Sequence, residues 1–319
     1  MRGLVFADGK ARVASVDKPS CGAEALIRVH LAGICATDRE ILRGYGAFSG
    51  IMGHEFVGTV EECRDSRWVG RRVVGEINCP CNTCPVCRRG DGIHCPSRQV
   101  LGIHGRNGAM AEYCLLPLDN LHEVPDSVSD RQAVFVEPLA AAVAILQRAP
   151  IAPSSQVAVI GDGRLGLLVA QVVALGGAEV TLVGRHPEKW SRIPPVGTLC
   201  GLRPEEWPKQ QKVDVVIECS GSPDGLPFAL DRVRPRGSII LKSTFQGTPS
   251  FDMTAIALHE ITIQGSRCGP FKPALNLLQR RLVTVESLID ATFPLNRAGE
   301  ALALAFKPGT LKVLLDPRS

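Results

Sequence analysis

Three things are missing from this 319-residue chain, and each absence removes a class of protein. There is no block of like charge: 36 basic residues are interspersed with 32 acidic ones for a net charge of +4. That pattern argues against nucleic acid or a membrane surface as partner. The opening stretch, MRGLVFADGKARV, has no sustained apolar core and does not read as a secretory leader. The most apolar helical stretch, residues 165–177, is interrupted by Gln171 and falls short of the ~20 residues that span a bilayer. What remains is an ordinary soluble composition, 45% hydrophobic and 21% charged. The length suits two domains. Cysteine alone is abundant, with twelve residues, five of them crowded between Cys79 and Cys95. With no leader, such clustering favours metal thiolates over disulfides and points to the cytoplasm.

Residues 1–126 read as short β-type runs between glycines, such as LVFAD at 4–8, ALIRVHLAGI at 25–34, EFVGTVEEC at 55–63, RRVVGEI at 71–77 and AEYCLL at 111–116. Regular short strands of this kind predict a small barrel or sandwich. Among them lies GICATDREILRGYGAFSGIMGHE at 33–55, with a thiol at Cys35, a hydroxyl at Thr37, a carboxylate at Asp38 and the pair His54-Glu55. Zn²⁺ favours Cys sulfur and His nitrogen. Spacing alone does not make Cys35 and His54 a metal motif, because Cys35 also reads as a small buried hydrophobe and His54 as a core histidine. Residues 37–42 suggest a helical turn with Thr37 as N-cap and Glu40 three residues on, as in a capping box. Tyr45, Phe48 and Ile51 are candidates to line a substrate pocket.

Two later stretches strengthen the chemical reading. In NCPCNTCPVCRRGDGIHC, residues 78–95, the cysteines Cys81, Cys84, Cys87 and Cys95 are spaced C-x2-C-x2-C-x7-C. Four thiolates on so tight a loop can close a tetrahedral structural zinc site. An iron–sulfur site is the alternative, and Cys79 competes for the register. In VFVEPLAAAVAIL, residues 134–146, Glu137 is the lone carboxylate in an apolar run. It either caps the helix beginning at Pro138 or serves as third ligand to the metal of Cys35 and His54, since an unpaired buried carboxylate is costly.

The second half opens after the linker APIAPSS. QVAVI at 156–160 runs directly into Gly161-Asp162-Gly163-Arg164-Leu165-Gly166 and then an apolar helix. Placed between strand and helix, G-x-G-x-x-G is a dinucleotide-binding fingerprint, with Gly161, Gly163, Arg164, Leu165 and Gly166 around the pyrophosphate. The next strand, EVTLVG at 179–184, ends on Gly184 where an acid would bind the ribose of NAD, and Arg185 follows. A missing acid with a nearby arginine favours NADP over NAD. Four prolines in RIPPVGTLCGLRPEEWP make a long helix unlikely in the following crossover, so this edge of the sheet is expected to be trimmed.

Taken in order, GICATD, GHE, the four-cysteine lobe, VEP, GDGRLG and the closing LKVLL resemble the medium-chain dehydrogenase/reductase superfamily, specifically its zinc-dependent alcohol and polyol dehydrogenases. The resemblance covers nearly the whole chain. It implies an α/β protein with a GroES-like β-barrel catalytic domain at 1–148, a Rossmann doubly wound parallel-sheet domain at 149–285, and a C-terminal return to the catalytic domain at 286–319. Two zincs per chain are implied. The catalytic one is held by Cys35, His54 and Glu137, with Glu55 close enough to exchange there; the structural one is held by Cys81, Cys84, Cys87 and Cys95. By the same likeness Asp38 orients His54, and Lys312 touches the cofactor pyrophosphate. Thr37 passes on the substrate proton, onward to Glu40 or the cofactor ribose. Relatives often carry histidine where this chain has Glu40, and TDREI is similar to the matching segment of archaeal glucose dehydrogenases. The implied activity is hydride transfer between a nicotinamide cofactor and a small alcohol, polyol or carbonyl compound, in a homodimer or homotetramer. A zinc-independent reductase of this fold, or a non-catalytic zinc- and nucleotide-binding protein, are the alternatives.

Overall fold

The run ALIRVHLAG is apolar at nearly every position, and the strand it forms, Ala25–Gly33, is buried except at Arg28 and, in part, His30. It pairs antiparallel with Glu55–Glu62, Tyr113–Leu116 and Lys312–Asp316. In this computed structural model, which describes residues 1–208, 210–244 and 248–319, that strand is central to a seven-stranded sheet. The sheet continues through Arg72–Gly75 and Leu121–Glu123 on one side and through Ile289–Pro294 on the other. A three-stranded sheet of Lys10–Ser15, Arg2–Ala7 and Gly50–Ile51 accompanies it, as does a small one around Asn78–Cys79. These strands belong to one compact unit, Met1–Glu137 with Ile289–Ser319; Pro138–Leu288 form the other. The unit boundary falls within the helix Val136–Val143, whereas composition suggested the linker near residue 149.

One local expectation is corrected. The first helix is Ala36–Leu42, and its N-cap is Cys35 rather than Thr37. Cys35 has extended backbone, and Asp38, three residues on, accepts its N–H at 2.7 Å. The acidic partner of the capping box is therefore Asp38, so the box lies two residues earlier than the Thr37/Glu40 pair. Glu40 instead faces Arg43 and Arg39, at 3.2 and 3.4 Å.

The second unit carries a six-stranded, all-parallel sheet. Its strands run Cys200–Leu202, Glu179–Val183, Gln156–Ile160, Val213–Glu218, Val233–Leu241 and Thr262–Gly265 across the sheet. Counted along this unit the order is 3-2-1-4-5-6, that of dinucleotide-binding sheets. The trimmed crossover keeps only the short helix Pro187–Trp190 before the three-residue edge strand. Among the described residues no helix is long and apolar enough to cross a membrane.

Candidate metal and cofactor sites

Strand register assembles the first site. Gly33 pairs with Glu55, so the residues just beyond one strand's end meet those beginning its antiparallel neighbour. Donor atoms of Cys35, His54 and Glu55 converge to within 4.8 Å of one another. His54 and Glu55 are buried and Cys35 is partly so. Asp38, wholly buried, holds the Cys35 N–H with one oxygen and lies 3.7 Å from His54 Nδ1 with the other. Burial pulls the His54 imidazolium down, but the charges of Asp38, Cys35 and Glu137 outweigh it and raise the ring to about 9. Thr37 Oγ1 stands 3.9 Å from Cys35 Sγ. Glu137 is half-buried in the first turn of its helix, with Pro138 beside it where a missing N–H costs nothing. Its charge still reaches His54. Phe48 and Ile51 are buried and Tyr45 is exposed.

Lys312 differs from expectation. It is fully buried and forms an ion pair with Glu55 beneath the Phe135 ring, where the resemblance implied a contact with the cofactor pyrophosphate. Burial lowers it to about 8, against the raising charges of Cys35 and Asp38. The pair explains Gly33: a Cβ there would lie 2.6 Å from Glu55 Oε2 and 2.7 Å from Lys312 Nζ.

The donor set suits a cation. Glu55 Oε1 is buried without a hydrogen-bond partner among the described residues, a costly state that a metal relieves. With Asp38 facing Nδ1, the other ring nitrogen is the one available to a metal, as a carboxylate–histidine–zinc arrangement requires.

The four-cysteine lobe is a separate site. Cys84 Sγ lies 3.4 Å from Cys87 and 3.8 Å from Cys95, and Cys81 Sγ lies 3.9 Å from Cys87 and 3.5 Å from Cys95. A tetrahedron with Zn–S bonds of about 2.3 Å has edges of about 3.8 Å, and disulfides require about 2.05 Å. Hydrogen bonding from Thr83 draws the Cys81 thiol down to about 5, toward the thiolate that metals bind. Cys84 caps the short helix Pro85–Arg88, accepting the Cys87 N–H. Cys79 stands outside the group, beside Asn120, and burial pushes its thiol up to about 11.

In the parallel sheet the three fingerprint glycines have three separate reasons. Gly161 takes φ +111°, and a Cβ there would meet the Cys219 carbonyl at 2.7 Å. A Cβ on Gly163 would meet nothing within 4 Å, which leaves the backbone open to approach. One on Gly166 would run into the Gly161 carbonyl. Arg164 and Leu165, both half-buried, open the helix Arg164–Ala174. At the end of the next strand Gly184 is buried and Arg185 exposed. Residues that motif reading passed over stand here too: Asp162 accepts the His186 N–H at 2.6 Å and faces Lys189. Position 162 is a variable letter of the fingerprint, so nothing in the motif marks it.

Residues 22–126 match the family described as alcohol dehydrogenase GroES-like domain, and residues 165–280 the family described as zinc-binding dehydrogenase. The erythritol/L-threitol dehydrogenase of Mycolicibacterium smegmatis is 30% identical, over 92% of this chain and 91% of that one. A zinc-binding dehydrogenase of Sinorhizobium meliloti 1021 bound to NADP superposes with a TM-score of 0.89 at 27% identity, over 99% of both chains. An Escherichia coli CFT073 alcohol dehydrogenase complexed with NADH does so at 0.90 and 25%, again over 99% of both. The chain belongs to the medium-chain dehydrogenase/reductase superfamily, as a zinc-type alcohol dehydrogenase with a GroES-like unit and a Rossmann unit. It is an oxidoreductase that uses zinc and a nicotinamide cofactor.

Proposed function

We propose that the enzyme oxidises a small polyol, or reduces the matching carbonyl compound, with NADP preferred over NAD. The observation that carries this reading is the convergence of Cys35, His54 and Glu55 on one buried point. These three would hold the catalytic zinc, with Glu137 as the alternative carboxylate, and the four lobe cysteines would hold a second zinc. Bound zinc supplies Lewis acidity toward a substrate oxygen, and the nicotinamide supplies or takes up the hydride. Thr37 Oγ1, beside the donor set, would relay the substrate proton on oxidation, taking it up as its own hydroxyl proton passes to the cofactor ribose and on to solvent, and would run in reverse on reduction. Asp38 holds the cap and the imidazole in one geometry. Glu40, committed to two arginines, is removed from that proton path. A polyol substrate is supported by the name of the Mycolicibacterium smegmatis relative, and NADP by Gly184, Arg185 and the NADP-bound neighbour.

In this reading residues 1–148 and 286–319 carry the metal chemistry and 149–285 the cofactor. A homodimer or homotetramer is supported by the open sheet edge at Thr262–Gly265, with Met253 and Leu258 on the preceding helix 72% and 75% exposed. Twelve unbridged cysteines fit the reducing cytoplasm.

Cobalt(II) substitution tests the metal assignment. Titrating the cobalt-loaded enzyme with erythritol is expected to shift the visible ligand-field bands, because a substrate oxygen enters an open coordination position. Bands that do not move at saturating polyol would overturn the placement of the substrate at Cys35, His54 and Glu55.

A further inference from the structure

We infer that Asp162 is a positioning residue for cofactor selectivity, anchoring the turn of Arg185 and His186 so that it receives the 2′-phosphate of NADP. The inference deepens the NADP reading above and rests on it. In dinucleotide-binding sheets an acid at the end of the second strand accepts from the ribose 2′-hydroxyl. Here that strand, Glu179–Val183, ends on Gly184. The volume a side chain would take at 184 is already filled: a Cβ there would lie 2.5 Å from Asp162 Cγ. Ile160 and Val183 are paired in register on adjacent parallel strands, so the glycine-rich loop and this turn leave the same end of the sheet side by side. An acid has thus reached the place of the missing one from a different strand.

It is not disposed to accept from a ribose. Asp162 Oδ2 accepts the His186 backbone N–H at 2.6 Å and lies 3.0 Å from His186 Nδ1. Oδ1 lies 3.2 Å from the same ring nitrogen and 3.8 Å from Lys189 Nζ. Asp162 is 8% exposed and Lys189 7%. A buried carboxylate beside a buried ammonium cancels its charge in place, and both of its oxygens are already engaged. Exposed Arg185 then supplies the net charge of this turn, and a guanidinium matches the geometry of a phosphate. Gly184 is glycine because Asp162 needs the space, and Asp162 is there to hold the turn.

The test is calorimetric binding of 2′,5′-ADP and of 5′-AMP to the zinc-loaded enzyme and to its Asp162→Asn and Arg185→Ala variants. The wild type is expected to bind 2′,5′-ADP more tightly than 5′-AMP. Both substitutions are expected to weaken 2′,5′-ADP by about tenfold or more, as for loss of a charge-assisted hydrogen bond, and to leave 5′-AMP unchanged. Asp162→Asn protein that binds 2′,5′-ADP as well as or better than the wild type would overturn the anchoring role; loss of 5′-AMP alone would make Asp162 the ribose acid instead. Equal loss of both ligands would reduce it to a structural residue, which also overturns the proposal. Arg185 is on the surface, so its variant reports on the phosphate contact without disturbing the fold. A wild type with no preference for 2′,5′-ADP would refute the NADP reading itself, an outcome read before any variant is made.

Discussion

Cys35→Ala enzyme is expected to lose turnover by about 10³-fold or more while remaining folded and binding one zinc, where the unmodified enzyme is expected to bind two. Lewis-acid stabilisation of transition-state charge contributes several kcal/mol, and each 1.36 kcal/mol is a factor of ten in rate. The fold is expected to survive because the Asp38 carboxylate still accepts the N–H of residue 35 at the helix cap, and the change removes only the sulfur's half of the capping box. The side chain sits at the end of a strand whose core residues are untouched by the change. Steady-state rates alongside zinc counting by atomic spectrometry check both halves. Turnover within tenfold of the wild type, or two zincs retained, would remove Cys35 from the site.

Cys84→Ser should show the opposite pattern, damage to the fold before damage to chemistry. The lobe from Cys79 to Cys95 has only four-residue and three-residue helical turns and a two-residue strand to hold it. Its four sulfurs are its main convergence. Binding of structural zinc is worth roughly 10–16 kcal/mol in small metal-folded domains. Losing about a third of that would lower the melting temperature by roughly 5–8 °C at this size. Serine can still accept the Cys87 N–H at the helix cap, so the loss reports on the metal rather than on the cap. Differential scanning calorimetry with zinc counting reads the result. An unchanged melting temperature with full zinc content would show that the lobe does not depend on its metal.

These two sites differed in how far the sequence disclosed them. The lobe is local: four cysteines within fifteen positions must meet if the loop is tight, and they do. The glycine fingerprint is equally local, since the tight turn, the open approach and the helix–strand contact arise within six residues. Cys35 and His54 are different. Their meeting depends on the Gly33–Glu55 register between two strands, which spacing does not encode, so they are joined by their donor chemistry, by the lobe and fingerprint elsewhere in the chain, and then by the resemblance. The helix cap misled because Thr37 and Glu40 satisfy the same pattern that Cys35 and Asp38 fill two positions earlier. Lys312 is placed at the cofactor pyrophosphate by the resemblance alone, and nothing in its own neighbourhood of sequence points to Glu55, the buried carboxylate two strands away that it pairs with. Asp162 was hidden for the same kind of reason: its partner His186 is 24 residues on, across a strand pairing.

Formation of reduced nicotinamide, followed by its absorbance, tests the central claim most directly. Purified zinc-replete enzyme would be offered NADP⁺ and NAD⁺ in turn with polyols such as erythritol and sorbitol, simple alcohols, aldoses and amino alcohols such as threonine. The expected result is zinc-dependent reduction of the coenzyme by polyols, faster with NADP⁺ at equal concentration. Enzyme that carries both zincs yet reduces neither coenzyme with any polyol would contradict it.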